Sequence, residues 1–167
     1  MTPKAANPKT PATQLASFIA KYTPTIARQA RRVLAKMRAR LPGAVELVYD
    51  NYNGLVVGFG PSERASEAPF SVVLYPRWIT LFFLQGAHLA DTGRILKGTG
   101  KQVRYVILET PETLDDPAVS ALMQAALKQV QWSPSRRRSR RLVIRAVMAK
   151  QRSRRPPPGA AGRRASS

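Results

Sequence analysis

The stretch Lys97-Gly98-Thr99-Gly100-Lys101, with Arg104 close behind, concentrates groups that bind anions. Glycines let backbone N–H groups converge on an anion, and the cations add charge. A phosphate-binding P-loop needs Gly, four residues, then Gly-Lys-Ser/Thr opening a helix. Here Gln102 follows Lys101, position 95 is Ile, and the next residues are strand-like. "GTGKQV" also lacks the third glycine of a dinucleotide fingerprint. What survives is a simple anion nest of Lys97, Gly98, Gly100, Lys101 and Arg104. The plainer role is that Gly98 and Gly100 supply the positive φ of a turn entering a strand.

Acid–base chemistry has two candidates. Asp50 stands in "VYDNY"; turned inward and desolvated it would be a base of raised pKa, and turned outward it is strand-end polarity. His88 is the single histidine, and with no cysteine it cannot build the usual zinc site. It has no nucleophile-elbow sequence to serve. No catalytic residue, metal ligand or cofactor is assigned. Stacking chemistry has more material: Tyr49, Tyr52, Phe59, Tyr75, Trp78, Phe82 and Phe83 fall within one β-rich region. They suit a core, an apolar pocket or a base-stacking platform. Alternation puts Trp78 and Phe82 on one face and Phe83 on the other; a platform pairs aromatics with cations, and Arg77 beside Trp78 is the only such pairing in those strands. Tyr52, Trp78 and Asp50 therefore join the glycine loop as candidate ligand-binding residues.

Charge is distributed unevenly. The formal net charge of +19 divides into +9 over residues 1–40, −2 over 41–132 and +12 over 133–167. Basic ends attract polyanions without reading sequence. "SRRRSRR" and "KQRSRR" fit nucleic-acid arms or solvated tails, and lack the interleaved large apolar residues of a membrane-surface helix. The N-terminal "MTPKAANPKTPATQ" has no signal-peptide apolar run, and no stretch reaches about 18 apolar residues. A cytoplasmic protein is expected, with no membrane partner.

These residues need elements to position them. Residues 1–12 and 151–167 are expected to be disordered tails around one domain at 13–150. Leu15, Phe18, Ile19 and Tyr22 recur at helical spacing, with Thr13 as N-cap. Thr23 and Pro24 start a second helix whose stripe is Ile26, Ala30, Val33, Met37 and Leu41, ended by "LPG". "VELVYDNY" and "LVVGFG" flank Asn53-Gly54 as a hairpin. "FSVVLY" and "WITLFFL" flank Pro76-Arg77 as another, and "VRYVILE" is a further strand. Asp116 and Pro117 open a third helix. "RLVIRAVMA" is a final strand, with a short helix as the alternative. Strands apolar on both sides, notably 78–84, belong inside a sheet. Helices on one face leave the other needing a cover, a pocket or a partner such as a second copy. The fold class is α+β.

The run "AVELVYDNYNGLVVGFGPSERASEAPFSVVLYPRWITLFFLQGAHL" with "LKGTGKQVRYVIL" resembles the YdhG-like family of bacterial domains, and "RLVIRAVMAKQR" resembles the ending of one branch. The resemblance covers about residues 13–152 and implies an antiparallel sheet packed by two N-terminal helices and a later one. A Gly-x-Gly-Lys loop belongs to the family pattern. Some members are described as frataxin-like iron chaperones, whose iron binding needs an acidic surface. This chain departs from that, with no Asp or Glu in either N-terminal helix and only Glu46, Asp50, Glu63 and Glu67 across the two hairpins. The expected function is non-enzymatic binding of an anionic ligand, either a small molecule or nucleic acid held nonspecifically by the basic ends. The alternatives are an iron chaperone and a small enzyme using Asp50 in an aromatic pocket.

Overall fold

The structure is a computed structural model and describes residues 9–157. Helix α1 (Pro11–Ile19) starts earlier than its apolar spacing suggests. Thr10, not Thr13, is the N-cap, because Pro11 suits the first helical position and the Thr10 side chain accepts from the Thr13 N–H. Helix α2 (Pro24–Arg40) begins as its sequence indicates, with the Thr23 hydroxyl capping Ile26. Of the tail expected at 1–12, residues 1–8 lie outside the described residues, and Pro11 and Ala12 are helical.

Five strands follow as a meander: β1 (Val45–Asp50), β2 (Leu55–Gly60), β3 (Phe70–Leu74), β4 (Ile79–Phe83) and β5 (Arg104–Leu108). The chain then passes a 3-10 turn (Pro111–Asp115) and helix α3 (Pro117–Gln129), capped by Asp116. Its last strand is β6 (Arg141–Val147), so the strand reading of "RLVIRAVMA" holds and the helical one does not. The sheet order is β5-β4-β3-β2-β1-β6. All pairs are antiparallel except β1–β6, which is parallel and makes the sheet mixed. The fold is α+β.

Alternation divides the sheet cleanly. Val48, Val57, Val72, Leu81 and Val106 lie across one row of register. They share one core cluster with Leu15 and Phe18 of α1, Leu34 and Met37 of α2, and Leu122 and Met123 of α3. All three helices thus cover one face. The adjacent rows, through Leu47, Tyr49, Val56, Ser71, Val73, Phe82 and Tyr105, take no part in that cluster. None of the three α-helices lies over this second face; the 3-10 turn Ala65–Glu67 and Ala68 approach it at Gly58 and Gly60, and Val45 and Leu47 are buried there.

Tyr22, just beyond α1, joins the helices to the sheet. It is 1% exposed; its hydroxyl donates to the Leu74 carbonyl at 2.9 Å and accepts from the Leu55 N–H at 3.0 Å. Burial pushes this hydroxyl up to about 12, although the nearby Arg154 guanidinium opposes the rise. Removing it leaves two buried backbone groups unpaired. Tyr22→Phe should therefore cost about 1–3 kcal/mol in urea unfolding, with an unchanged m-value. A loss below about 0.3 kcal/mol would show that the joint contributes nothing.

Candidate nucleic-acid interface

Strand β1 carries Glu46 and Asp50 four residues apart, and period-2 alternation turns both toward the helices with Val48 between them. Both are fully buried. Glu46 accepts from Arg38 of α2, through Nε at 3.1 Å to each oxygen and Nη2 at 2.8 Å. Arg140, the residue before β6, stands 2.9 Å from its other oxygen. Asp50 accepts from Lys21 Nζ at 3.0 Å and from Arg154 Nη2 at 2.9 Å. Burial alone would push the Asp50 carboxyl up; the donors Gln151, Lys21 and Arg154 outweigh it and hold it below its ordinary value.

Two expectations are corrected here. Asp50 points inward, but it stays ionised, because two cations compensate its desolvation. It cannot act as the raised-pKa base of an enzyme. The basic tail expected to be disordered from Gln151 is fixed through at least Arg155. Arg154 is 4% exposed and reaches the carbonyls of Asn51 and Tyr52 as well as Asp50. The Arg152 N–H donates to the Tyr52 carbonyl, and Arg155 Nε to the Lys21 carbonyl. Residues 158–167 of that tail lie outside the described residues.

Fixing Arg154 also fixes its neighbours in sequence. Arg152 lies 5.6 Å and Lys150 6.0 Å from the centre of the Tyr52 ring. The β3–β4 turn, closed by Tyr75 N–H to Trp78 carbonyl at 2.9 Å, stands beside this segment. Its Tyr75 and Trp78 rings are 5.2 Å apart and tilted by 35°. Trp78 is 46% exposed, unusual for a tryptophan that could have been buried. Tyr75, Arg77, Trp78, Arg152 and Arg155 line one groove of about 680 Å³. A second groove of about 470 Å³ shares Tyr75 and Asn53 with it. That groove runs onto the uncovered sheet face over Val56, Val73 and Phe82. Gly54 permits this corner, since a Cβ there would sit 2.5 Å from the Leu74 carbonyl oxygen.

The glycine loop reaches the site only through Val103, which lines the second groove. Arg104, where β5 starts, pairs with Phe83, whereas Asp50 shares its row with Leu55, Leu74, Ile79 and Leu108. The loop therefore sits at the opposite edge and opposite end of the sheet. Gly98 has φ +113, as a turn requires, while Gly100 does not have positive φ. Arg104 is bent back onto the carbonyls of its own loop at Gly100 and Val103. Lys97, whose backbone bridges to Tyr105, and Lys101 remain exposed. So of the candidate ligand residues, Tyr52 and Trp78 stand on adjoining grooves that share Asn53 and Tyr75, Asp50 is buried behind Tyr52 as a support, and Lys97, Gly98, Gly100, Lys101 and Arg104 stand apart. Arg77 was legible from its place beside Trp78. Lys150, Arg152 and Arg155 were not, because nothing local marks which arginine of a basic run is anchored.

Among the described residues, no cluster of His, Asp or Glu could hold a metal ion, and no helix is long and apolar enough to cross a membrane. No family model, curated protein or solved structure matches the chain.

Removing Arg154 leaves Asp50 buried with one partner fewer. Arg154→Ala should lose about 3 kcal/mol, and adding Asp50→Asn should recover part of it; additive losses would contradict the pairing. Asp50 also sets an acid dependence. Its folded pKa lies below the unfolded value of about 3.9, so its contribution is full above that pH and falls away as pH drops through the folded value. Urea unfolding from pH 5 to 2 should show the wild type losing stability that Asp50→Asn does not lose. Equal pH slopes would contradict it.

Proposed function

We propose that this chain is a non-enzymatic domain that binds single-stranded nucleic acid. Bases stack on Trp78, Tyr75 and Tyr52, and Arg77, Lys150, Arg152 and Arg155 meet the phosphates. The observation that carries this is the meeting of the exposed Trp78, its half-buried neighbour Tyr75 and the anchored Arg152 and Arg155 in one groove. Aromatic platforms flanked by Lys and Arg bind single strands with little sequence preference, because every base has a π-face. A duplex cannot offer its bases to such a platform without unstacking.

The charge pattern supports the same reading. Glu112 and Asp115 are engaged by Arg32, Lys36 and Arg40 on the helix side of the molecule. Glu46 and Asp50 are occupied by cations, which counts against their serving as iron ligands. No acid has been spent on the groove around Trp78. A small anion at the glycine loop is less favoured, since Arg104 is committed to its own loop. Membership of the YdhG-like family and a cytoplasmic setting belong to this proposal too. The order of two helices, two hairpins, a fifth strand, a third helix and a final strand fits that family.

Binding of a fluorescein-labelled dT12 to the full chain tests the reading. Affinity should fall with salt at about −0.7 in log–log slope per phosphate contacted, so roughly −2 to −3 for four cations. Trp78→Ala should weaken binding about 5- to 100-fold, the range of one stacked base, without moving the unfolding midpoint. Unchanged affinity in that variant would sink the proposal.

A further inference from the structure

The arginine run before β6 does not behave as a uniform solvated cluster. Arg140 turns in to Glu46, while Arg138 and Arg141 line a separate groove of about 880 Å³ with Arg145 and Arg64. Val45 belongs to this groove as well. By alternation Val45 lies on the uncovered face, in series with Leu47 and Tyr49.

Two devices aim the cations. Val48 pairs with Ile144 and Tyr49 with Ala146, so Arg145 is the extra residue of a β-bulge. Bulges re-aim side chains and are a way of placing one out of the regular alternation. Gly43, at φ +75, lets the Ser135–Arg138 turn lie directly on its backbone: a Cβ there would fall 2.3 Å from the Ser135 carbonyl oxygen. That close approach fixes the turn carrying Arg138. Two glutamates share the groove, Glu63 paired with Arg141 and Glu67 3.9 Å from Arg64. Arg138 and Arg145 have no carboxylate partner among the described residues. The groove therefore retains positive charge.

We propose that this groove is a second phosphate subsite for the same nucleic-acid strand, held by Arg138 and Arg145 with Arg141 beside them. The proposal rests on the single-strand reading above. The two ends of the track are the two ends of β6: the Arg145 groove near Arg141, and the Tyr52 groove near Met148. Arg141 and Met148 mark the two ends, about 23 Å apart along the strand, and Arg145 stands between them, about 10 Å from Met148. Tyr49, half-buried on the uncovered face and paired with Val56 and Ala146, lies between. A ligand must therefore exceed a minimum length to gain both ends, on the order of four nucleotides or more, the low end of single-strand site sizes.

The test compares dT3 and dT12 against full-length wild type, Arg138→Ala/Arg145→Ala and Trp78→Ala. Both substituted arginines are exposed and outside the buried ion pairs, so the double variant should keep the wild-type unfolding midpoint. Wild type should hold dT12 at least tenfold more tightly than dT3. The double variant should lose on the order of tenfold on dT12 and reduce its salt slope by about 1.4, with dT3 unchanged. Arg138→Lys/Arg145→Lys should restore most of that loss, since phosphate accepts a point charge. The second subsite is overturned if the double variant leaves dT12 unchanged or weakens both oligonucleotides equally while Trp78→Ala still weakens both. If wild type binds neither oligonucleotide, the single-strand reading fails and this subsite fails with it.

Discussion

Two buried carboxylates on one strand constrain everything else in this molecule. Glu46 and Asp50 face the helices from opposite ends of β1, fully buried, and each is held there by two cations. Each takes one from the helical layer, Arg38 or Lys21, and one from the C-terminal region, Arg140 or Arg154. The C-terminal pair brackets β6. An edge strand that pairs only along β1 is thereby held at both ends by charge. Such pairs add little net stability over an apolar substitute, but breaking one is costly, so they specify position more than they add strength.

That arrangement sorts the surface. Glu112 and Asp115 are used on the helix side and Glu46 and Asp50 at the two ends of β1, leaving the groove beside Trp78 to aromatics and cations. Arg154 is spent on structure, and in being spent it delivers Arg152 and Arg155 to the groove beside Trp78. A fixed cation loses less entropy on meeting a phosphate than one on a free tail. The basic C-terminal segment thus contributes to the site as an anchored strap, at least through Arg155.

Much of the fold could be read along the chain because its signals are local. Thr23-Pro24 and Asp116-Pro117 name helix starts, and the turns at Asn53-Gly54 and Pro76-Arg77 name hairpins. Alternation placed Phe82 and Phe83 on opposite faces, as they are. The start of α1 was misjudged by apolar spacing alone, since Thr10-Pro11 carries the cap. The parallel pairing of β6 was not legible, because a strand's own pattern does not state its neighbour. Nor was the lowered pKa of Asp50, which depends in part on Arg154, more than a hundred residues away. The glycine loop shows the opposite failing: its residue types suggest an anion site, yet its arginine is satisfied by its own carbonyls.

The most direct measurement is the site of photo-crosslinking between the full chain and a single-stranded oligonucleotide carrying 4-thiouridine, read by peptide mass spectrometry. The account predicts crosslinks at Tyr52, Tyr75 and Trp78, with longer oligonucleotides adding Tyr49. Crosslinks confined to the 97–104 loop or to α2 would contradict it.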